Sequence, residues 1–378
     1  MEQKRLGDIA TYINGFAFKP EDRGTEGLPI IRIQDLTGNS YDLGFYDGEY
    51  PERIEINDGD VLISWSASLG VYIWNRGKAL LNQHIFKVTF DKCEVNKPYF
   101  VYAVQHKLKE MESKTHGATM KHIVKKDFDN TIIPFPSLEK QAEIADVLDK
   151  VSSIIVARQR ELQKLDELVK ARFVEMFGDP IDNTKKLPVE QFSRCCLDMH
   201  QGINTVADKV EYQSVGYPII QSKNITKGYL DLLDVRYLTD KDYLKYHEKY
   251  NPKVNDMLIC NIGTIGKSLI IKEEQDFLIA WNLFLVKLNL EKVKPDYIKV
   301  FVEFLNDRHY YDQFLTGGTV KFVNKKTMGN IPVILPPMEL QNQFADFVKQ
   351  LDKSKFAIQK ALDEAQVLFD SLMQKYFG

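Results

Sequence analysis

Three short stretches of this sequence resemble motifs that hold nucleotides or carry out catalysis. The first covers residues 261–268, where two glycines precede a Lys-Ser pair. In a phosphate-binding loop, such glycines let backbone N–H groups surround a phosphate ahead of a helix, and the lysine reaches the outer phosphates. Asn261 stands where that motif has its first glycine, and the apolar residues 269–271 favour a strand rather than a helix. We therefore predict a glycine turn in a hairpin and no nucleotide site.

The other two stretches lack the groups on which their chemistry would depend. Residues 335–338, Leu-Pro-Pro-Met, have the prolines of the Asp/Asn-Pro-Pro-aromatic motif of adenine methyltransferases, which holds the amino group of a flipped base. The side chain of Leu335 cannot accept that hydrogen bond, and Met338 offers no aromatic face. Glu112 and Lys114 have the Glu-x-Lys spacing of many nucleases, but without an upstream Pro-Asp. No catalytic residue is predicted in this chain.

Lysine-rich loops are better candidates for binding a nucleic acid. Each half of the chain has a Gly-x-Thr-x-Lys segment, at residues 117–121 and 317–321, followed by two further lysines. A flexible loop of this kind can place a backbone N–H and an ammonium group on adjacent phosphates, although a solvated loop ahead of a helix would have the same composition. Both halves keep the segment while their surroundings differ, so we predict phosphate contacts there. The basic residues of the two loops are His116, Lys121, His122, Lys125 and Lys126 in the first, and Lys321, Lys325 and Lys326 in the second.

Base edges are recognised chiefly by forked or bidentate side chains on rigid supports. Polar side chains near the predicted strands could supply such contacts, although each could equally cap a turn or lie on the surface. Trp65, Trp74 and Trp281 are predicted to lie in the core, and Gly15 and Gly202 are interpreted as turn residues. The predicted base contacts are Asn14, Lys19, Arg32, Gln34 and His84 in the first half, and Gln201, Asn204, Gln221, Lys223 and Asn224 in the second.

The composition limits the kinds of protein to consider. The 378 residues are 44% hydrophobic and 27% charged, as in a globular chain with more than one core. No apolar stretch is long enough for a signal peptide or a membrane span, so we expect a cytoplasmic protein without membrane contact. The four cysteines show neither Cys-x-x-Cys spacing nor a histidine at zinc-ligand spacing, and we expect reduced thiols and no metal site. A formal charge of −3 means that DNA binding would rely on local basic patches.

The candidate residues belong to a chain that repeats itself. Residues 117–178 align without a gap with residues 317–378, and the identities fall on glycine, proline and charged positions. The upstream match is looser and includes Asn82, which resembles Asn282. Each half therefore has a variable first part and a better-kept last part, as expected for a duplicated unit.

The variable parts have the pattern of compact α/β modules, in which short β-rich runs are separated by turn-forming clusters. The predicted strands of the first module lie at residues 28–33, 60–65 and 83–90. One helix is predicted in each module, at residues 97–112 in the first and 295–305 in the second.

The better-kept parts predict two long helices. Residues 138–177 follow a proline-rich turn and contain neither proline nor glycine. Apolar side chains recur in both helices at alternating steps of three and four, the pattern of a coiled-coil seam. One helix alone cannot bury such a stripe, so we predict that the two helices pair, and in antiparallel fashion because they close successive halves of a repeated chain. The seam positions are Ile144, Leu148, Val151, Ile155, Leu162, Leu165, Val169 and Met176 in the first helix, and Phe344, Val348, Leu351, Ile358, Leu362, Ala365, Phe369, Leu372 and Tyr376 in the second.

Together these features predict an α/β (α+β) fold, with two pseudo-repeated α/β modules separated by two long helices that form an antiparallel coiled coil. About 38 residues at 1.5 Å each span roughly 57 Å, so the helices are expected to set the distance between the modules. The predicted boundaries are 1–137 for the first module, 138–178 for the central helix, 179–337 for the second module and 338–378 for the C-terminal helix.

This arrangement resembles the specificity subunit of type I restriction-modification systems over the whole chain. The most specific pieces are Pro-Phe-Pro-Ser-Leu-Glu-Lys-Gln-Ala-Glu-Ile-Ala at residues 134–145 and Leu-Pro-Pro-Met-Glu-Leu-Gln-Asn-Gln-Phe-Ala at residues 335–345. Both are similar to the proline-rich turn and the Glu-x-Gln helix start of that family. The resemblance implies that each module is a target-recognition domain for one half of a bipartite site in double-stranded DNA.

The same resemblance implies the partners and cofactors. The helices would dock two methyltransferase (modification) subunits, restriction motor-nuclease subunits would join them, and the complex would methylate adenine. S-adenosylmethionine, ATP and Mg would be bound by those partner subunits, and this chain would bind no cofactor. Two other functions stay open: a specificity subunit of a related type II enzyme (type IIB/IIG-like), and a protein scaffold built on the coiled coil that binds no DNA. Binding that weakens steeply with salt would favour DNA, whereas the scaffold predicts no DNA dependence.

Overall fold

The computed structural model describes residues 2–38, 42–114, 123–318 and 320–378. The chain divides into a first unit, Met1–Gln159 with Lys360–Gly378, and a second unit, Arg160–Gln359. Each unit therefore combines one α/β body with part of both long helices. None of the helices in the described ranges is long and apolar enough to cross a membrane.

Two four-stranded sheets form the body of the first unit. Its strands are β1 (Gln3–Arg5), β2 (Thr11–Asn14), β3 (Leu28–Ile31), β4 (Phe45–Tyr46), β5 (Glu55–Ile56), β6 (Val61–Ser64), β7 (Gly70–Ile73), β8 (Ala79–Leu81), β9 (Ile85–Thr89) and β10 (Ile132–Pro134). Its helices are α1 (Leu6–Ile9), α2 (Ile33–Thr37), α3 (Lys97–Lys114), α4 (Lys125–Asp129) and the first part of α5 (Leu138–Phe177), with 3-10 turns at Pro20–Asp22 and Glu52–Ile54. The sheet orders are β2-β9-β6-β7 and β4-β3-β8-β5, and β1 pairs with β10. The pair β3–β8 is parallel, and the other pairs are antiparallel.

The sequence accounts for most of these elements. All four residues of Val61–Ser64 are buried, as expected for an inner strand covered on both faces. The three predicted strands are confirmed in their central residues, and the predicted helix is confirmed and extends to Lys114. The end of the first predicted strand instead forms the helix Ile33–Thr37. The reason is local, since the carboxylate of Asp35 caps this helix by accepting a 2.8 Å hydrogen bond from the backbone N–H of Arg32.

The second unit repeats this plan. Its strands are β11 (Val189–Gln191), β12 (Cys196–Gln201), β13 (Tyr212–Gln213), β14 (Tyr217–Ile220), β15 (Arg236–Leu238), β16 (Met257–Cys260), β17 (Ser268–Ile270), β18 (Leu278–Ile279), β19 (Leu283–Leu288) and β20 (Pro332–Ile334). Its helices are α6 (Asp240–Tyr250), α7 (Pro295–Asp307), α8 (Lys325–Gly329) and part of α9 (Met338–Phe377), with 3-10 turns at Phe192–Cys195, Ser222–Asn224 and Tyr310–Phe314. The sheet order β12-β19-β16-β17 matches β2-β9-β6-β7, and the second sheet, β13-β15-β14-β18, again contains one parallel pair, β14–β18. The predicted internal repeat is confirmed.

The hairpin predicted around residues 261–268 is formed by β16 and β17. These strands pair antiparallel, with Leu258 opposite Leu269. Gly263 and Gly266 lie between them with φ of 74° and 85°, a region that favours glycine. A strand rather than a helix follows the glycines, so the hairpin interpretation is confirmed and the loop lacks the architecture of a phosphate-binding loop.

Within each unit, the long helices pack side by side and antiparallel. In the first unit, Leu148 near the start of α5 shares a core with Met373 near the end of α9. In the second unit, Phe173 near the end of α5 packs edge-on against Phe344 near the start of α9, with ring centroids 5.6 Å apart. The predicted antiparallel pairing is thereby confirmed within each unit.

A buried glutamine connects each long helix to the turn before it. The amide of Gln141 donates a 2.8 Å hydrogen bond to the carbonyl oxygen of Pro136, and that of Gln341 donates a 3.0 Å bond to the carbonyl oxygen of Pro336. The glutamine of the Glu-x-Gln helix start is therefore a structural residue in both units.

Candidate nucleic-acid interface

Hydrogen bonds at one end of the sheets β2-β9-β6-β7 and β12-β19-β16-β17 match between the two units. In the first unit, the backbone N–H of Gly15 donates to the carbonyl oxygen of Ile85 at 3.1 Å. In the second unit, the N–H of Gly202 donates to the carbonyl oxygen of Leu283 at 3.0 Å. These bonds place equivalent residues in register. The matched pairs are Asn14 with Gln201, Phe16 with Ile203, Gln83 with Trp281, and His84 with Asn282.

The same register corrects one alignment made from the sequence. The backbone N–H of Asn82 donates to the carbonyl oxygen of Ile31 at 3.1 Å, and that of Ala280 donates to the carbonyl oxygen of Ile220 at 2.9 Å. Asn82 therefore corresponds to Ala280, and its predicted match with Asn282 is wrong. The constant shift seen in the C-terminal parts does not hold upstream, because the two units differ in the lengths of the segments between their strands.

Gly15 and Gly202 permit a close approach of two backbones at this end of the sheet. A Cβ atom at Gly15 would lie 2.1 Å from the carbonyl oxygen of Asn82, and one at Gly202 would lie 2.4 Å from the carbonyl oxygen of Ala280. No side chain fits at either place, so a close backbone approach, rather than the predicted turn, accounts for glycine at both positions.

The candidate base contacts of the first unit differ in how far their side chains are already engaged. The guanidinium of Arg32 is held by the carboxylate of Asp35, with Nε 3.1 Å from Oδ2. Asn14, Lys19 and Gln34 are exposed. Arg32 is therefore oriented by its own unit, and base contacts from all four residues stay a prediction.

His84 has an unusual backbone and an unsatisfied side chain. Its φ is 72°, in the left-handed region that residues other than glycine seldom adopt. The half-buried ring packs edge-on against Trp65 with centroids 5.0 Å apart, and Nδ1 is buried without a hydrogen-bond partner among the described residues. A buried polar atom left unpaired costs about 1–3 kcal/mol. Strain and unmade bonds of this kind cluster at binding sites.

In the second unit, Gln201 and Asn204 lie on either side of the close backbone approach. The side chain of Gln201 donates a 2.5 Å hydrogen bond from Nε2 to the carbonyl oxygen of Trp281. Asn204 is exposed, and its Oδ1 accepts a 3.1 Å bond from the backbone N–H of Ala207. Both amides are thereby fixed in orientation, as a base contact would require.

The turn that carries Gln221, Lys223 and Asn224 is stabilised from within. Asn224 is only 3% exposed, its Oδ1 accepts a 3.0 Å bond from the backbone N–H of Gln221, and its Nδ2 donates to the carbonyl oxygen of Asp231 at 2.9 Å. Lys223 pairs with Asp234 at 2.5 Å on the surface. Asn224 therefore shapes this turn, and a base contact from it would require those bonds to break.

The three tryptophans have different environments. Trp74 is 3% exposed, so its predicted place in the core is confirmed, and Trp65 is half-buried. Trp281 is 42% exposed, so the core prediction for it is wrong. The physical reason is its position in the tight turn between β18 and β19, where its backbone N–H donates a 2.9 Å bond to Ile203. No feature of the sequence distinguished this tryptophan from the other two.

The structure describes more of the second lysine-rich loop than of the first. His116, Lys121 and His122 of the first loop lie outside the described residues. In the second loop, Lys321 is exposed and its Nζ donates a 3.0 Å hydrogen bond to the carbonyl oxygen of Gly317. Gly317 has a φ of 98°, so the ammonium group folds back over a tight glycine turn.

The remaining lysines of these loops begin two short helices at matched positions. Lys125 starts α4 and lies 3.4 Å from Asp129, and Lys325 starts α8. Asn324 caps α8 by accepting a 2.9 Å bond from the backbone N–H of Thr327. Lys125, Lys126, Lys325 and Lys326 are all exposed.

Burial and charge set the protonation of the groups around β12. Burial alone would raise the pKa of Asp198, but the charge and hydrogen bond of His200 lower it below its usual value. Asp198 Oδ2 lies 3.2 Å from His200 Nδ1, and the other ring nitrogen lies 2.8 Å from the carbonyl oxygen of Lys249. Burial raises the pKa of Cys196 to about 12, so this thiol stays protonated. Within the described ranges, no three His, Cys, Asp or Glu side chains are grouped as a metal site would need.

Comparison with known proteins gives the family context of this arrangement. A family model described as "Type I restriction modification DNA specificity domain" matches residues 1–167 and again residues 201–365. The two matches together cover most of the chain, one in each half.

Individual relatives match along nearly the whole chain. The type I restriction enzyme EcoBI specificity subunit of Escherichia coli is 25% identical, over 98% of this chain and 83% of its own length. The type I restriction enzyme MjaVIII specificity subunit of Methanocaldococcus jannaschii is 23% identical, over 95% of this chain and 89% of its own length. The crystal structure of the type I restriction-modification system S subunit from M. genitalium covers 100% of this chain and 96% of that chain, with a TM-score of 0.55 and 14% identity. This last likeness confirms the predicted fold class.

Proposed function

The chain belongs to the type I restriction-modification DNA specificity family, and from this premise we propose that it recognises a bipartite sequence in double-stranded DNA as the specificity subunit of a type I restriction-modification complex. One observation carries the proposal: two copies of the family domain fall one in each α/β unit, and the order of one four-stranded sheet is the same in both units. A duplicated unit presents two similar surfaces. Each surface would therefore read one half of the DNA site.

The two alternatives left open by the sequence are not favoured. The EcoBI and MjaVIII relatives are type I specificity subunits, and they align with 98% and 95% of this chain rather than with its helices alone. A scaffold built only on the coiled coil would not account for likeness across both α/β units. A type II enzyme subunit has no such support among these relatives.

In the proposed complex, this chain supplies recognition and other subunits supply catalysis. Methyl transfer needs S-adenosylmethionine, and DNA translocation and cleavage need ATP and Mg. We assign all three to the partner subunits, with no cofactor bound by this chain. Its own residues would bind DNA, fix the register of the complex on the duplex and select the sequence.

The contacts with DNA divide into two kinds. Exposed lysines of the two loops would hold phosphates, which positions the protein without reading sequence. The candidate amides and the other polar side chains of the two units would contact base edges. The proposed phosphate contacts are Lys121, Lys125, Lys321 and Lys325, and the proposed base contacts are Asn14, Lys19, Arg32, Gln34 and His84 in the first unit and Gln201, Asn204, Gln221, Lys223 and Asn224 in the second.

The long helices offer a second surface for the partner subunits. In the first unit, Val147 and Ile154 of α5 are exposed although apolar, and they lie seven residues apart. Seven residues are about two helical turns, so both side chains lie on one face of the helix. Val367 and Leu368 of α9 are exposed in the same unit. We assign these apolar residues to the docking of the two methyltransferase subunits, which restriction motor-nuclease subunits would then join.

The test of the proposed function uses the complete complex. Cells carrying the genes for this chain and its partner subunits are subjected to methylome sequencing, and the purified complex is titrated with salt in a DNA-binding assay. We expect one bipartite methylated motif and an affinity that falls steeply as salt rises. Methylation at a continuous motif would refute the proposal that each unit reads one half of the site. A complex that does not bind DNA would favour the scaffold.

A further inference from the structure

We propose that the short turn between β18 and β19, Trp281 with Asn282, determines the sequence read by the second unit, and that Gln83 with His84 does so in the first. The inference deepens the proposed function and rests on it. Of these four residues, only His84 is among the base contacts predicted from the sequence. Trp281 is predicted there to lie in the core. Three observations carry it: a clamped backbone, unmade hydrogen bonds and a matched location in both units.

The backbone of the turn is held by hydrogen bonds from three neighbouring segments. The carbonyl oxygen of Trp281 accepts a 2.5 Å bond from Gln201 Nε2. The carbonyl oxygen of Asn282 accepts a 2.8 Å bond from the hydroxyl of Ser222 and a 3.3 Å bond from the backbone N–H of Asn261. A turn fixed in this way holds its own two side chains in a defined position.

Polar groups in the turn and beneath it lack partners in the protein. Asn282 Oδ1 is buried without a hydrogen-bond partner, and Asn261, which is 0% exposed, lacks a partner for both amide atoms, all among the residues that the structure describes. Leaving such a group unpaired is costly, so native proteins seldom retain one without use for it. Because no described residue bonds Asn282 Oδ1, the half-buried side chain can rotate toward DNA without breaking a protein hydrogen bond at that atom. Its amide, which both accepts and donates, would then match the major-groove edge of adenine, which offers one acceptor and one donor.

The equivalent turn of the first unit shows the same combination. The backbone N–H of Trp65 donates to the carbonyl oxygen of His84 at 3.2 Å, as that of Asn261 does to Asn282 at 3.3 Å. His84 has a left-handed backbone and a buried Nδ1 without a partner in the described ranges. The two turns thus lie at equivalent positions, and each contains a buried polar atom without a partner among the described residues, but their side chains differ. Conserved geometry with different side chains is the arrangement that two modules need in order to read different sequences.

The residue before the unsatisfied side chain is exposed in both turns. Trp281 is 42% exposed, and Gln83 is exposed in the first unit. An exposed indole beside an amide offers an apolar face for a thymine methyl group or a base plane, whereas the glutamine offers a bidentate amide. The two turns would therefore select different bases at the same place in their half-sites.

A double substitution that gives the second turn the residues of the first tests this inference. The complex carrying Trp281→Gln with Asn282→His is produced in cells, and its methylated motif is compared with that of the parent by methylome sequencing. We expect one or two adjacent bases of one half-site to change toward those at the equivalent place in the other half-site. The other half-site and the spacer should stay the same. Leu233→Ala, at a side chain that is 93% exposed in the same unit but outside the turn, is the matched control and should keep the parent motif.

A second variant keeps the test decisive where the double variant does not assemble. Asn282→Asp has nearly the same shape but only accepts hydrogen bonds, so it should disfavour adenine and favour the amino group of cytosine at the affected position. For this variant, the purified complex is used to select binding sites from DNA with randomised bases. Parental base preferences at every position, in either variant that binds DNA, would overturn the inference. If the parent complex itself has no bipartite motif, the proposed function is contradicted. This result differs from parental base preferences in the variants, so failure of the function and failure of the inference can be told apart.

Discussion

The side-chain oxygen of Gln141, at the start of α5, accepts a 3.0 Å hydrogen bond from the backbone N–H of Asn96, at the start of α3. In the second unit, Gln341 accepts a 2.9 Å bond from the backbone N–H of Lys294, at the start of α7. Both glutamines also donate to the carbonyl oxygen of a proline five residues earlier, Pro136 or Pro336. One buried side chain thus ties the long helix, the shorter helix and the proline turn together in each unit.

Replacement of this glutamine should destabilise the unit that contains it. Gln141→Leu would remove the partner of the N–H of Asn96 and of the carbonyl of Pro136, both at half-buried residues, and we expect a loss of about 2–4 kcal/mol in the free energy of unfolding. Gln341 makes one further bond, to the carbonyl oxygen of Lys292 at 3.1 Å, so Gln341→Leu should cost more. Urea denaturation followed by circular dichroism measures both losses. Gln163→Leu, at an exposed residue of α5, is the control and should change stability by less than about 0.5 kcal/mol.

The sequence was sufficient for elements whose cause is local. The hairpin around Gly263 and Gly266 followed from glycines ahead of the apolar residues 269–271, and it is present. The antiparallel helix pairing followed from two apolar stripes that need each other, and Leu148 and Met373 now lie in one core. In each case, the pattern within a short window determined the structure because few alternatives could bury the same side chains.

The sequence was insufficient where distant segments meet. The place of Trp281 depends on bonds with Gln201 and Ile203, which no local pattern contains, so its exposure could not be foreseen. The match of His84 with Asn282 likewise depends on strand register. An alignment with one constant shift could not find it, because the loops differ in length between the two units. The hydrogen bond between Gln141 and Asn96 was also not predicted from the sequence, since a glutamine in the first turn of a helix is usually exposed.

The two glycines at the close backbone approach should not tolerate a side chain. Gly202→Ala would place a Cβ atom 2.4 Å from the carbonyl oxygen of Ala280, which is backbone and cannot rotate away. We expect destabilisation by more than about 2 kcal/mol, together with weaker DNA binding, since the adjacent Gln201 would be displaced. Gly318→Ala is the control because its Cβ would meet nothing within 4 Å. Equal stability of the two variants would show that the strands can separate at this point without loss.

Removal of a loop lysine should weaken DNA binding without changing the sequence that is bound. Lys321→Ala deletes one ammonium group, and the slope of log K against log salt should fall in magnitude by about one while the methylated motif stays that of the parent. Lys121→Ala is expected to act in the same way in the first unit. Lys353→Ala, at an exposed lysine of α9, tests whether any loss of charge has this effect. A changed motif in the Lys321 variant would make the loop a base reader.

A charge on the exposed apolar face of α5 should prevent assembly but leave the chain folded. Ile154 is 48% exposed and lies seven residues after Val147 on the same face of the helix. Ile154→Asp places a carboxylate where an apolar partner surface would cover it, and burying an unpaired charge costs several kcal/mol, which is enough to lower the affinity for the methyltransferase subunits by more than about 100-fold. Co-purification and analytical ultracentrifugation with those subunits measure the loss, and thermal unfolding of the isolated chain should not change. Ser153→Asp adds the same charge one position earlier, on a different face of α5, and should assemble as the parent does. If both variants assemble fully, the methyltransferase subunits dock elsewhere on this chain, and the exposed apolar residues of α5 have another role.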